Sequence, residues 1–512
     1  LHINKSISHV SKKGLIMLRC PKLSYKSLKT LAVSIFLIFF VTLSLSGCSV
    51  NPATGRQEFT PLLPASQEQQ VGAEQHRSIV NEFGGIYENK KLTAYVHAIS
   101  KKVAAASELP VDYYQIFMLN SAEVNAFALP GGYVYVTRGL VALANTEAEL
   151  AGVIGHEIGH VTARHAANRS NIQAVSGIGA MLVGALTGSQ QIAQLAQLGG
   201  QGLSASYSRG QEHEADMLGV RYLAKAGYNP YGQADFLRSL RIHSDYQKEQ
   251  SKSSSSGMPS FFSTHPDTGS RVEKARELAQ ETNIIKGITG RQSHLNAINT
   301  MMWGDDPAQG IVQGQSFVHS DLRVKFDAPN QYQIVNRPDA VYIQGADNTL
   351  VKFDVDFKAS GQSPQQYMQY EFAKGAKISS LQSITSNGLT GVTALSSMNT
   401  NNGTVQARLF AFKLSDTKYY RFIMSAPQNY FSQKEADFYK IARSLKRLSV
   451  SEAKKIKPYY VKVKTIRSSD SLATIARYIP NFNNKTRLLQ MINGLDRQEK
   501  LPNSCSIKII SK

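Results

Sequence analysis

One five-residue segment constrains this chain more than any other: His156-Glu157-Ile158-Gly159-His160. The H-E-x-x-H spacing makes sense on a helix, where residues four apart lie on nearly one face, a turn from each other. Two imidazoles so placed can grip one metal ion. Glu157 stands one step round the helix, within reach of a proton on a water at that ion. The residues ahead supply a helix start, with Thr146 as the cap and Glu149 three positions on, a capping-box pattern. From there Leu150, Val153, Ile154, Ile158 and Val161 form one stripe of helical period, flanked by the two histidines. Gly152, Gly155 and Gly159 gather on the opposite face. Each glycine costs a helix roughly 1 kcal/mol against alanine, so three on one face imply that a second backbone approaches closely there. An ordinary amphipathic helix with two surface histidines leaves Glu157 and the glycine face unexplained.

A catalytic zinc site takes three protein ligands and keeps a position for water. The extended motif, with a Gly and a third His downstream, is absent, since Ala163 and Ala166 stand there. His165 is five residues past His160 and is expected to point away from the metal face. The segment from Ser208 to Asp216 offers better donors. Glu212 and Asp216 are four apart and share a helical face. One of them can bind metal while the other accepts a hydrogen bond from a ligand histidine. His213 and Glu214 are rival donors. The three cysteines, Cys20, Cys48 and Cys505, lie far from the motif, so cysteine is excluded as a ligand.

Together these segments resemble the gluzincins of peptidase family forty-eight, which includes prenyl-protein endopeptidases and bacterial heat-shock membrane proteases. The resemblance runs from about Asn51 to about Leu278. It includes Asn51-Pro-Ala-Thr-Gly55, Asn125-Ala-Phe-Ala-Leu-Pro-Gly-Gly-Tyr133 and Ser263-Thr-His-Pro266. It implies one Zn2+ held by His156, His160 and Glu212, with Glu157 as general base and Asp216 as the acid that orients a ligand. His265 resembles the family's histidine near the active site. Two roles stay open for it, oxyanion stabilisation or occupation of the open metal position in an inactive state, beside the plain reading of a turn histidine. The implied activity is hydrolysis of peptide bonds in protein substrates, by resemblance misfolded or misassembled envelope proteins. Tyr133-Val-Tyr-Val-Thr137 reads as a strand after a Pro-Gly-Gly turn. It is either a sheet edge that an extended substrate joins or a plain core strand.

Residues 17–48 read as a lipoprotein export signal. Lys22, Lys26 and Lys29 form a basic start, and Leu31 to Leu45 an apolar run too short for a span of about 20 residues. Leu45-Ser46-Gly47-Cys48 resembles a bacterial lipobox, which makes residues 1–47 a cleaved signal segment and Cys48 the lipidation site. A retained signal anchor is the alternative. Ser49, where sorting to the inner membrane calls for aspartate, resembles the outer-membrane pattern. The expected place is the periplasmic face of a Gram-negative outer membrane, with membrane lipid as a partner through Cys48.

The expected fold class is α+β and multidomain. A mainly helical zincin-type protease domain with a small sheet spans residues 48–295. An α+β domain with an antiparallel sheet, of unknown role, spans 312–448. A strand–helix–helix–strand tail at 456–512 resembles a LysM module and implies peptidoglycan as a partner. The tail departs from that pattern, with no glycine before Asp470 and with Asn503 where a glycine is expected. Residues 174–203, rich in Gly, Ala, Leu and Gln, read as a cover over the cleft or as a partner- or membrane-touching hairpin; Gln250 to Gly257 reads as a Ser-rich flexible loop. The formal charge is +20, and residues 451–512 carry thirteen basic against four acidic groups. A basic patch favours polyanions. An exported chain meets peptidoglycan carboxylates and lipopolysaccharide phosphates, so no nucleic acid is expected. Two other function classes remain beside the zinc peptidase: a chaperone or assembly factor with a mostly closed zinc site, and a peptidoglycan-binding envelope protein.

Overall fold

The computed structural model describes residues 48–512 apart from 60–62, 170–205, 251–260, 267–268, 401–402, 502–504 and positions 362, 481 and 498. Residues 17–47 of the export segment, the 174–203 cover and residues 251–257 of the Ser-rich loop lie outside the described residues. Among the described residues no helix is long and apolar enough to cross a membrane. Helices combine with several mainly antiparallel sheets, as an α+β chain requires.

The motif helix runs Glu147–Thr162, and from Ala148 onwards it is buried on every side rather than along one stripe. The Thr146 hydroxyl accepts the Glu149 amide at 3.0 Å, as a cap should. The Glu149 carboxylate does not return to Thr146. It accepts the Asn145 amide at 3.0 Å instead, so two staggered bonds replace the reciprocal box.

The glycine face has the close neighbour that its composition implies. A Cβ on Gly155 would lie 3.2 Å from the Gly219 carbonyl, and one on Gly159 3.1 Å from the Ala215 carbonyl. Gly219, in turn, has the His156 amide 3.0 Å from where its Cβ would be. Both contacts belong to helix Arg209–Lys225, which therefore crosses the motif helix almost backbone to backbone. Gly152 faces a different helix, Gly232–Gln250, with the Gln233 Cα 2.9 Å from its missing Cβ.

A three-stranded sheet precedes the motif helix in the order Gln115–Leu119, Tyr133–Thr137, Ala126–Leu129. Tyr133–Thr137 is its fully buried central strand, parallel to the first neighbour and antiparallel to the second. Of the two readings open in the sequence, the core strand is the one observed, and the edge on this side is Ala126–Leu129. Gly131 and Gly132, at φ +79° and +85°, turn the chain back between these two strands.

A second unit holds a seven-stranded antiparallel sheet with strands from Gln333–Asn336 to Lys418–Pro427, beside a four-stranded sheet. Helix Gln428–Ser444 shares its aromatic core, with Phe326, Phe353, Phe422 and Phe438 buried. The tail has the expected order: Tyr459–Thr465, Leu472–Ala476, Lys485–Ile492 and Ser506–Ser511, with the outer strands antiparallel.

That tail is built into the first unit. Strand Tyr459–Thr465 also pairs with Met302–Trp303. Val461, Leu488, Ile507 and Ile510 lie in one continuous core with Val96, Leu140, Leu150 and Ile154. Lys508, 1% exposed, donates to the carbonyls of Ala142, Leu143 and Ala144 at 2.8, 2.8 and 2.9 Å. These carbonyls end helix Arg138–Leu143, just before the motif helix begins. Burial lowers the Lys508 pKa and raises that of Glu149, and the charge of each opposes the shift of the other. Lys508→Met is expected to leave three buried acceptors and Glu149 without their cation. The destabilisation should be about 1–3 kcal/mol for each buried acceptor left unsatisfied, read as a lower thermal midpoint of the full chain; an unchanged midpoint would show that the brace carries no energy.

Candidate metal centre

The close helix crossing brings the chemistry together. His156 and His160 reach out from one helix, with Nε2 atoms 3.0 Å apart. Glu212 comes from the crossing helix, with Oε2 3.6 Å from His156 Nε2 and Oε1 3.5 Å from His160 Nε2. His265, at the end of the short helix Phe261–Thr264, places Nδ1 3.0 Å from Glu212 Oε1 and 3.2 Å from His156 Nε2. One donor atom from each of these four residues lies within 4.8 Å of the others. A tetrahedral ion with bonds of about 2.0–2.1 Å separates its ligand atoms by roughly 3.3 Å. The observed separations of 3.0–3.6 Å bracket that value, so the donor set suits an ion of zinc's size.

The surroundings support that fit. His156, Glu157, Glu212 and His265 are fully buried. Neither oxygen of Glu157 has a hydrogen-bond partner among the described residues, and His265 Nε2 likewise has none. Its closest ionic approach to Glu157 Oε1 is 3.6 Å. Burial raises the Glu157 pKa, although His265 and His156 pull the other way. A carboxylate raised in this way gives up and takes protons more readily near neutrality.

Asp216 lies behind the site, with Oδ1 2.9 Å from His156 Nδ1. It also accepts the Gln233 side-chain amide at 3.0 Å. Burial alone lowers the His156 pKa, but the bond and charge of Asp216 reverse this and raise it. Burial raises that of Asp216 in turn, and Arg271 and His156 together more than offset this, leaving it at about 2. Arg271 has no local pattern that marks it in the sequence. Its guanidinium, 1% exposed, meets Asp216 at 2.7 and 2.8 Å and Glu212 Oε2 at 2.6 Å. One cation therefore ties Glu212 to Asp216. Tyr207 is another residue that sequence reasoning missed; its ring stacks on His160 at 3.9 Å between centroids.

His165 does not point away. The motif helix ends at Thr162, and Arg164 takes a left-handed φ of +51°. The Arg164 side chain is held by Glu68 at 2.7 Å and by the Leu63 carbonyl at 3.1 Å. The reversal returns His165 beneath His160, with the two Nδ1 atoms 2.8 Å apart. Helical spacing could not predict this, because the helix has already stopped. Asn51, from the N-P-A-T-G segment, donates to the Ala163 carbonyl at 3.3 Å and pins the same turn. Glu214 and His213 do not join the four converging donors.

Beside His160 the described residues leave a cavity of about 10 Å3, barely enough for one water. A larger cavity, about 340 Å3, is lined by Arg138, Glu123, Asp305 and Asn336 among others, and by none of the four converging donors.

Two histidines a turn apart, a buried carboxyl between them and a third donor on a crossing helix define a zincin-type metal centre. The model for Peptidase family M48 matches residues 90–279. The metalloprotease LoiP of Escherichia coli (strain K12) is 31% identical over 193 residues, covering 37% of this chain and 69% of that protein. The chain belongs to Peptidase family M48. It is also 30% identical over 200 residues to the beta-barrel assembly-enhancing protease of Yersinia pestis, covering 37% of this chain and 39% of that one. The mitochondrial metalloendopeptidase OMA1 of Schizosaccharomyces pombe is 27% identical over 236 residues, covering 46% of this chain and 67% of that protein. The chain spans less than half the length of the beta-barrel assembly-enhancing proteases it matches.

Asp216→Asn should weaken Zn2+ binding by about 10–100-fold, the usual effect of losing a partner behind a metal ligand. Glu212→Ala should abolish stoichiometric metal. Elemental analysis after dialysis checks both, and full zinc occupancy in Glu212→Ala would remove this residue from the ligand set.

Proposed function

We propose that this chain is a zinc-dependent metalloendopeptidase of the bacterial envelope, at rest in a closed state. His156, His160 and Glu212 would hold the ion. The observation that carries the reading is Glu157, buried beside the converging donors with both oxygens unpartnered among the described residues. A buried carboxyl without partners is costly, and a proton-transfer role explains its retention. When bound, the ion would supply Lewis acidity, lowering the pKa of water towards neutrality and polarising the scissile carbonyl. Glu157 takes the proton of the attacking water and delivers it to the leaving amine. Asp216 and Arg271 keep His156 and Glu212 oriented throughout.

Of the two active-site roles open for His265, occupation of the fourth position has the better support, because its Nδ1 sits at ligand-to-ligand distance from both His156 and Glu212. The segment that carries His265 is tied at its start by the Phe261 amide to the Val124 carbonyl, at 3.2 Å. Val124 lies just ahead of edge strand Ala126–Leu129. Withdrawal of the segment would free the fourth position and open the strand edge to an extended substrate. His265→Ala is then expected to raise basal casein cleavage several-fold; a loss of cleavage with zinc retained would favour the oxyanion role instead.

Substrates would be misfolded or misassembled envelope proteins, a reading in line with the name of the beta-barrel assembly-enhancing relatives. Lipid on Cys48 would hold the chain to the outer membrane, and residues 456–512 would face peptidoglycan. The closed four-donor site also favours a second reading, a chaperone or assembly factor in which hydrolysis is secondary. Glu157→Gln separates the two. The protease reading expects zinc to stay bound while casein cleavage falls by about 100-fold or more and the cellular phenotype is lost. Survival of the phenotype in this variant would make the chaperone the primary function.

A further inference from the structure

His156 has a carboxylate directly behind it, whereas His160 has an imidazole. That imidazole, His165, is 2% exposed, and its Nε2 lies 3.1 Å from Glu214 Oε2. The proton inventory of this row has one consistent solution. For His160 Nε2 to offer its lone pair to a metal, the ring proton must sit on Nδ1. Its neighbour at 2.8 Å is His165 Nδ1, which must then accept. The neutral His165 ring therefore carries its proton on Nε2, where Glu214, a carboxylate and so an acceptor alone, receives it. Every donor points the same way, from the metal site towards Glu214. The opposite tautomer of either ring sets proton against proton or lone pair against lone pair.

We propose that His165 and Glu214 form a relay that fixes the tautomer and orientation of His160 and thereby sets metal affinity. The proposal rests on the metallopeptidase reading above. Glu214 is about 200° round the helix from Glu212 by helical geometry, so direct ligation from the same position is excluded, but the left-handed turn at Arg164 brings His165 out to meet it. Gln211 holds the turn as well, donating its side-chain amide to the His165 carbonyl at 3.4 Å. Helix Arg209–Lys225 then supplies three functions at alternate positions: Glu212 as a donor to the metal, Asp216 behind His156, and Glu214 behind His160 through an intermediary. His165 and Glu214 are positioning residues, since neither is among the four converging donors.

The test is Zn2+ competition between the full-length chain in detergent and a chromogenic chelator. His165→Leu should weaken binding about 10–100-fold. His165→Gln, whose amide can accept from His160 and donate to Glu214 in the same order, should recover most of that loss. Glu214→Ala should weaken binding by less, and adding it to His165→Leu should have no further effect, because Glu214 acts through His165. Glu214 is 29% exposed, so its variant should fold, and the thermal midpoint of its metal-free form should match wild type. A merely structural role would lower that midpoint and leave affinity alone. The relay is overturned by His165→Leu binding zinc within about twofold of wild type, or by full additivity of the two substitutions. Wild-type protein without stoichiometric zinc overturns both the relay and the peptidase reading. Tight zinc binding without peptide hydrolysis overturns the peptidase reading alone.

Discussion

The site depends on how closely two helices can cross. Glu147–Thr162 and Arg209–Lys225 meet at Gly155, Gly159 and Gly219, where added Cβ atoms would stand about 3 Å from the opposing backbone, with Ala215 facing Gly159. Ordinary helix packing keeps axes 8–10 Å apart, the distance depending on the side chains between them. Removing those side chains lets the Glu212 carboxylate come within 3.6 Å of both imidazoles. The glycines weaken each helix taken alone, and the tertiary contact compensates by placing donors that no single segment could assemble.

Such a cluster brings several ionisable groups out of water, and its stability depends on complete pairing. Arg271 answers two carboxylates at once, and Asp216 is shared between Arg271 and His156. Glu157 and one nitrogen of His265 have no hydrogen-bond partner among the described residues and face each other at 3.6 Å. Those are the groups to which the proposed chemistry assigns changing protonation or a changing position.

The environment of the motif helix extends well past its own domain. Its N-terminal approach is braced by Lys508 from the last strand of the chain. Its C-terminal turn is held by Asn51, three residues after Cys48. The tail therefore shares the protease core, while the seven-stranded sheet keeps an aromatic core of its own.

The sequence by itself determined the local geometry: the pairing of His156 with His160, the place of Glu157, the shared face of Glu212 and Asp216, and the close contact implied by Gly152, Gly155 and Gly159. It also determined the strand–helix–helix–strand order of the tail, because periodicity and turn residues act over a few positions. Only the tertiary structure decided that Tyr133–Thr137 is central, that His165 folds back, that Arg271 joins Glu212 to Asp216, and that Lys508 reaches the end of the helix before the motif helix from more than 350 positions away. None of these follows from helical or strand period. Each depends on which segments pack together, and burial settles that for the whole chain at once.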